Sequence, residues 1–129
     1  MKAFARKIVR ASNADVISVM NETRVIAKLC HDGAHDNIVS VLRYGSLPEG
    51  DVFYDMELCE INLKTYIARE WNPQVRIELQ HLSVPAEPRE KVKMAMYIIL
   101  DIAEGVSYIH RHGEVHRDLK PENGAFLCN

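Results

Sequence analysis

Apolar and polar residues alternate at the start of the chain and then change to a helical rhythm. Over residues 3–10 the period is two, which predicts a strand. Ala3, Ala5, Lys7 and Val9 share one face; Phe4, Arg6, Ile8 and Arg10 share the other. Lys7 therefore lies among small apolar neighbours on the face expected to be covered, although an edge-strand lysine facing water fits the same pattern. Val16, Val19, Met20, Ile26, Leu29 and Cys30 then recur at helical spacing. Ser12-Asn13-Ala14-Asp15 reads as a capping box in which Ser12 accepts from the Asp15 amide, and Gly33 ends the helix. Glu22 interrupts the apolar stripe. An acid there lies either at the solvated margin or beside a cation.

Residues 38–44 and 52–58 are strand-like and flank the turn cluster Leu47-Pro48-Glu49-Gly50, so an antiparallel hairpin is predicted. Residues 62–69 suit a short helix. Between 70 and 89 periodicity is poor and Pro73, Pro85 and Pro88 punctuate a long connecting loop. Trp71 within it is a packed anchor or a partner contact. Residues 90–112 form the strongest helix. Val92, Met96, Ile99, Ala103, Val106 and His110 mark its stripe, Ala95, Ile98, Ile102 and Ile109 widen it, and Gly113 stops it. So much apolar surface calls for burial on several sides. The fold class is α+β.

Composition narrows the function. With 129 residues, 47% hydrophobic and 26% charged, the chain suits one modest globular domain. A formal net charge of −2 argues against a general nucleic-acid binder. Cys30, Cys59 and Cys128 are scattered and odd in number, which fits free thiols in a reducing cytoplasm or nucleus. The most apolar run, residues 94–100, is far short of the ~20 residues a membrane span needs, so no membrane partner is expected. Lys2, Arg6, Lys7 and Arg10 superficially resemble a mitochondrial presequence, but strand alternation accounts for the segment and no signal peptide is read. His110, His112 and His116, like His31 and His35, lack acids or cysteines at zinc-ligand spacing.

The densest chemistry is His116-Arg117-Asp118-Leu119-Lys120-Pro121-Glu122-Asn123. Asp118 can accept a proton from a hydroxyl, Lys120 suits a phosphate as a point charge, and Asn123 offers the neutral oxygen a hard cation accepts. Pro121 biases Lys120 toward extended backbone. The octet resembles the protein-kinase catalytic loop H-R-D-L-x-x-x-N. Ala5-Arg6-Lys7-Ile8 resembles the family's V-A-I-K strand, with Arg6 a departure, and Glu22 matches the helix glutamate that pairs with the strand lysine. His35-Asp36-Asn37-Ile38-Val39 resembles H-x-N-I-V, and Met56-Glu57-Leu58-Cys59 resembles the hinge.

The resemblance implies a partial protein-kinase fold: residues 1–58 a partial small lobe, residues 59–129 a partial large lobe as far as the catalytic loop. It further implies a serine/threonine kinase using ATP and magnesium, with a protein substrate. Asp118 would orient the substrate hydroxyl, Lys120 would contact the γ-phosphate and Asn123 would bind magnesium. Arg117 would hold a phosphorylated activation loop, Glu122 would meet a basic substrate residue, and His116 would be structural. Lys7, Glu22 and Ala5 join the ATP-binding residues, with Met56 as gatekeeper and the backbones of Glu57 and Cys59 meeting adenine. By themselves Met56 and Leu58 read as strand core, and Cys59 as a buried inert thiol.

Departures matter as much. No G-x-G-x-x-G precedes Lys7, and no acidic residue follows Glu122, so the D-F-G aspartate is missing. Asn123 alone is a poor magnesium site, and the chain by itself is expected to be inactive. Without the later large-lobe helices the long helix would be left uncovered, inviting self-association. The alternative is a non-catalytic, pseudokinase-like binding or scaffold module.

Overall fold

The computed structural model describes residues 3–10, 15–69, 73 and 85–126, and its architecture is α+β. Two units are described separately: residues 1–58 with 111–114, and residues 59–110 with 115–129.

The first unit is built on a three-stranded antiparallel sheet. Its strands are β1 (Phe4–Val9), β2 (Val41–Ser46) and β3 (Val52–Glu57), in the order β1-β3-β2. In the β1–β3 register Lys7 lies opposite Tyr54 and Ala5 opposite Met56, while Arg6 lies opposite Asp55 and Ile8 opposite Phe53. Alternation thus divides the sheet into a Lys7–Tyr54–Met56 face and an Arg6–Asp55–Phe53 face. Ala5 and Val9 are half-buried whereas Phe4 and Ile8 are exposed, so the face predicted to be covered is the more covered one. Central β3 holds the unit's two most buried side chains, Tyr54 at 0% and Asp55 at 1% exposure.

The helix α1 spans Val16–Leu29. Its cap is Asp15, not Ser12, which lies outside the described residues. The Asp15 carboxylate sits just before the helix and accepts from the amides of Ile17 and Ser18 and from the Ser18 hydroxyl. The helix closes at Cys30, whose amide bonds to the Ile26 carbonyl, three residues before the predicted stop at Gly33. Gly33, at φ +71, turns the chain beyond it. The next strand starts later than predicted because Ile38 donates back to the His35 carbonyl in a turn. Val41 then donates to the Cys30 carbonyl as β2 opens. The hairpin turn closes as Gly50 donates to Leu47 O and Leu47 to Asp51 O.

In the second unit the short strands β4 (Ile61–Asn62) and β5 (Ala125–Phe126) pair antiparallel. Between them in sequence lie α2 (Leu63–Ala68) and α3 (Pro88–Arg111). Asn62 caps α2 by accepting from the Thr65 amide, and Arg69 ends it in the left-handed region. Trp71 and most of the predicted connecting loop lie outside the described residues. Ile61, Tyr66, Tyr108 and Ile109 are buried, and the Tyr66 and Phe126 rings meet at 4.9 Å. The apolar stripe of α3 is not buried on several sides. Val92, Met96, Ile99 and Leu100 are exposed, and burial is confined to Gly105, Tyr108 and Ile109 near its end.

Candidate functional site

The octet His116–Asn123 lies in the second unit, and earlier in the chain Gly113, at φ +74, turns the backbone after α3. Arg117 takes the left-handed backbone, φ +63, a conformation costly for any residue with a Cβ. The turn lets the Asp118 amide donate to His116 Nδ1 at 3.3 Å, an exposed bond that ties the two ends of the turn together. Asp118 Oδ2 is then met at 2.9 Å by both Lys120 Nζ and Asn123 Nδ2, and the same Asn123 nitrogen donates to the Asp118 carbonyl. A 3₁₀ turn over Pro121–Asn123 makes this closure, with Asn123 N bonded to Lys120 O. The Lys120 hydrogen bond, followed by that from Asn123, holds the Asp118 carboxyl below its usual range. Asp118 reciprocally raises the Lys120 ammonium.

Glu122 points to a different partner, Lys64 of α2 at 3.0 Å, which lowers its carboxyl. The β4–β5 pairing and the bond from Leu63 N to Gly124 O fix α2 beside this turn.

In the first unit Lys7 Nζ donates to Glu22 Oε1 at 2.5 Å. The acid interrupting the α1 stripe therefore has a cation partner. Both side chains remain partly exposed, at 50% and 39%, so the pair adds only about 0–1 kcal/mol to stability. Lys7 spends one of its three donors on Glu22, and its ammonium stands 5.8 Å from the Tyr54 ring centroid. Ala5 and Met56 are directly opposed across β1 and β3 on the same face. Glu57 donates its amide to Ser40 O, and its carboxylate accepts from the Ser40 amide. Cys59, in the second unit, is half-buried.

Two clusters were not foreseen from sequence. Asp55 accepts from Arg6 through two nitrogens, at 2.6 and 2.8 Å, and from Arg43 at 2.5 Å. The Arg6 guanidinium also lies over Phe53, 4.5 Å from the ring centroid. Arg6 foremost, then Arg43, brings Asp55 down to about 2. Glu114 accepts from Arg24 at 2.8 and 3.3 Å and from Lys28 at 3.2 Å, which likewise lowers it to about 2. The available signal was an unpaired-looking acid inside a strand and another just past a helix stop. Their partners follow only from strand register and tertiary packing.

Magnesium asks for a near-octahedral oxygen shell, usually one or two carboxylates with phosphate oxygens and water. Asn123 and Asp118 supply one amide oxygen and one carboxylate whose Oδ2 is already engaged. Among the described residues no group of three or more His, Cys, Asp and Glu side chains gathers to hold a metal. The donor set falls short of a magnesium site, and no step is derived through one.

The family model for the protein kinase domain matches residues 1–128. Serine/threonine-protein kinase PknD of Chlamydia trachomatis is 36% identical over 99 residues, covering 75% of this chain and 10% of that protein. Mitogen-activated protein kinase HOG1B of Wallemia ichthyophaga is 30% identical over 118 residues, 92% of this chain and 27% of its own length. Eukaryotic translation initiation factor 2-alpha kinase 1 of Mus musculus is 41% identical over 68 residues, 53% of this chain and 10% of that protein. The chain thus spans between a tenth and about a quarter of the length of these relatives. No described helix is long and apolar enough to cross a membrane.

Proposed function

The chain belongs to the protein kinase family, and from that premise we propose a serine/threonine kinase lineage in which the γ-phosphate of ATP passes to protein hydroxyls. The observation that carries this reading is the assembled loop, with Lys120 and Asn123 both 2.9 Å from the Asp118 carboxylate. Relatives named as serine/threonine kinases support the hydroxyl specificity.

In this reading Asp118 accepts the hydrogen bond of the substrate hydroxyl. Its lowered proton affinity makes it an orienting acceptor at neutral pH more than a strong base. Lys120 supplies positive charge to the transferring phosphoryl group, and Arg117 meets a phosphorylated activation segment. Lys7, steadied by Glu22, holds the α- and β-phosphates. Ala5, Met56, Glu57 and Cys59 receive adenine; because the Glu57 amide is bonded to Ser40, any backbone contact from Glu57 falls to its carbonyl. A pure scaffold has no use for Lys7, Glu22 and Asp118 together, which favours an enzyme lineage over a binding module.

The donor set lacks a second metal carboxylate, so these 129 residues alone are expected to transfer no phosphate to a general Ser/Thr substrate with ATP and magnesium. Transfer by the purified chain that disappears in Asp118→Asn would overturn that expectation. ATP should raise its melting temperature little or not at all. A rise that grows with ATP and vanishes in Lys7→Ala would mark a competent pocket.

A further inference from the structure

Three consecutive residues of α1 are gripped from three directions. Glu22 meets Lys7 on β1 at 2.5 Å. Thr23 Oγ1 lies 2.7 Å from the hydroxyl of Tyr54 on β3. Arg24 makes a two-point ion pair with Glu114, at 2.8 and 3.3 Å.

Successive side chains leave a helix about 100° apart, so these three contacts span about 200° of the circumference of α1. A turn of the helix by one residue would break all of them together. The Lys7–Glu22 pair is too exposed to fix that rotation by itself. The other two contacts are better anchored. Tyr54 is fully buried, and the Thr23 hydroxyl proton is directed at the Val19 carbonyl, 2.9 Å away. Thr23 has no second proton, so Tyr54 donates and Thr23 accepts. Glu114 is only 16% exposed at its side chain and also takes Lys28, which in turn donates to the His112 carbonyl at 2.5 Å. Residues 112–114 therefore hold the last two turns of α1 through four hydrogen bonds.

We infer that Tyr54 and Glu114 are positioning residues that lock the rotation of α1 and so keep Glu22 on Lys7. The importance of that pair for nucleotide chemistry rests on the kinase reading above; the mechanical claim does not.

Lysine side-chain NMR of the 129-residue chain reads the pair directly, with the Lys7 signal assigned through Lys7→Arg and its unpaired position defined by Glu22→Gln. Thr23→Val keeps the side-chain shape without the hydroxyl, and Thr23→Ser keeps the hydroxyl. The expected result is that Thr23→Val and Glu114→Gln each move the Lys7 signal toward its Glu22→Gln position, while Thr23→Ser leaves it in place. Amide exchange in the middle of α1 should quicken about fivefold in Thr23→Val, the equivalent of one ordinary hydrogen bond. Tyr54→Phe removes the same bond from the other side and serves if Thr23→Val does not fold. A Lys7 signal that stays put in Thr23→Val (or Tyr54→Phe) and Glu114→Gln, or that already sits at the Glu22→Gln position in the unaltered chain, would overturn the inference. ATP added to the same samples tests the kinase reading separately: a Lys7 signal indifferent to ATP counts against nucleotide binding and leaves the variant comparison intact.

Discussion

Asp55 and Glu114 dominate the charged side of this chain, and neither belongs to the motifs that reveal its family. Each is a carboxylate held at about 2, against ordinary values of 3.8 and 4.5, by paired cations. A depressed folded pKa contributes stability that is whole above the unfolded value and is lost as pH falls toward the folded one. Resistance to urea should therefore be full above about pH 4.5 and decline as pH drops toward about 2. Asp55→Asn should lower the urea midpoint clearly at pH 7 and much less at pH 3, because acid has already removed part of what the carboxylate contributes. An equal penalty at both pH values would show that Asp55 acts through shape and not charge. Lys7 and Glu22 were legible because a short strand motif and a break in a helical stripe both marked them. Asp55 was not, because its significance depends on Arg6 and Arg43 lying opposite it, and register is not written in either strand alone.

At the level of elements, periodicity recovered the type and order of β1, α1, the hairpin, α2 and α3. Ends were harder, because a cap is decided by which side chain reaches a free amide and not by composition. Ser12 and Asp15 are both good capping residues three positions apart; the helix starts after the second. Asp15→Ala should cost about 1 kcal/mol in urea unfolding, with α1 fraying first by hydrogen exchange. The long helix teaches a different lesson. Its expected stripe lies mostly exposed, and only Ile109 of it is buried, because a stripe specifies what a helix seeks to bury and not whether a partner covers it. Ile99, 63% exposed, and Tyr108, 9% exposed, sit on the same helix. Ile99→Lys should change stability by no more than about 0.5 kcal/mol, whereas Tyr108→Ala should cost about 3–5 kcal/mol. Comparable losses from both would mean that the early turns of α3 are covered in solution, as by a second copy of the chain.

Over the molecule as a whole, one octet and one strand motif carried the family, and the match over residues 1–128 establishes it. What those motifs could not convey is how far the chemistry is assembled. The Asp118 loop is closed on itself by Lys120 and Asn123, and Lys7 is already on Glu22, yet among the described residues the oxygen donors for magnesium are too few. The central claim is that Asp118 serves phosphoryl transfer to Ser or Thr hydroxyls. The direct measurement is transfer of labelled γ-phosphate from ATP by the protein expressed from the whole reading frame that encodes these residues, unaltered and as Asp118→Asn. The account predicts phosphoserine or phosphothreonine in the substrate, reduced by roughly 10²–10⁴-fold in Asp118→Asn. No transfer from the unaltered protein, or transfer that Asp118→Asn leaves unchanged, would contradict it.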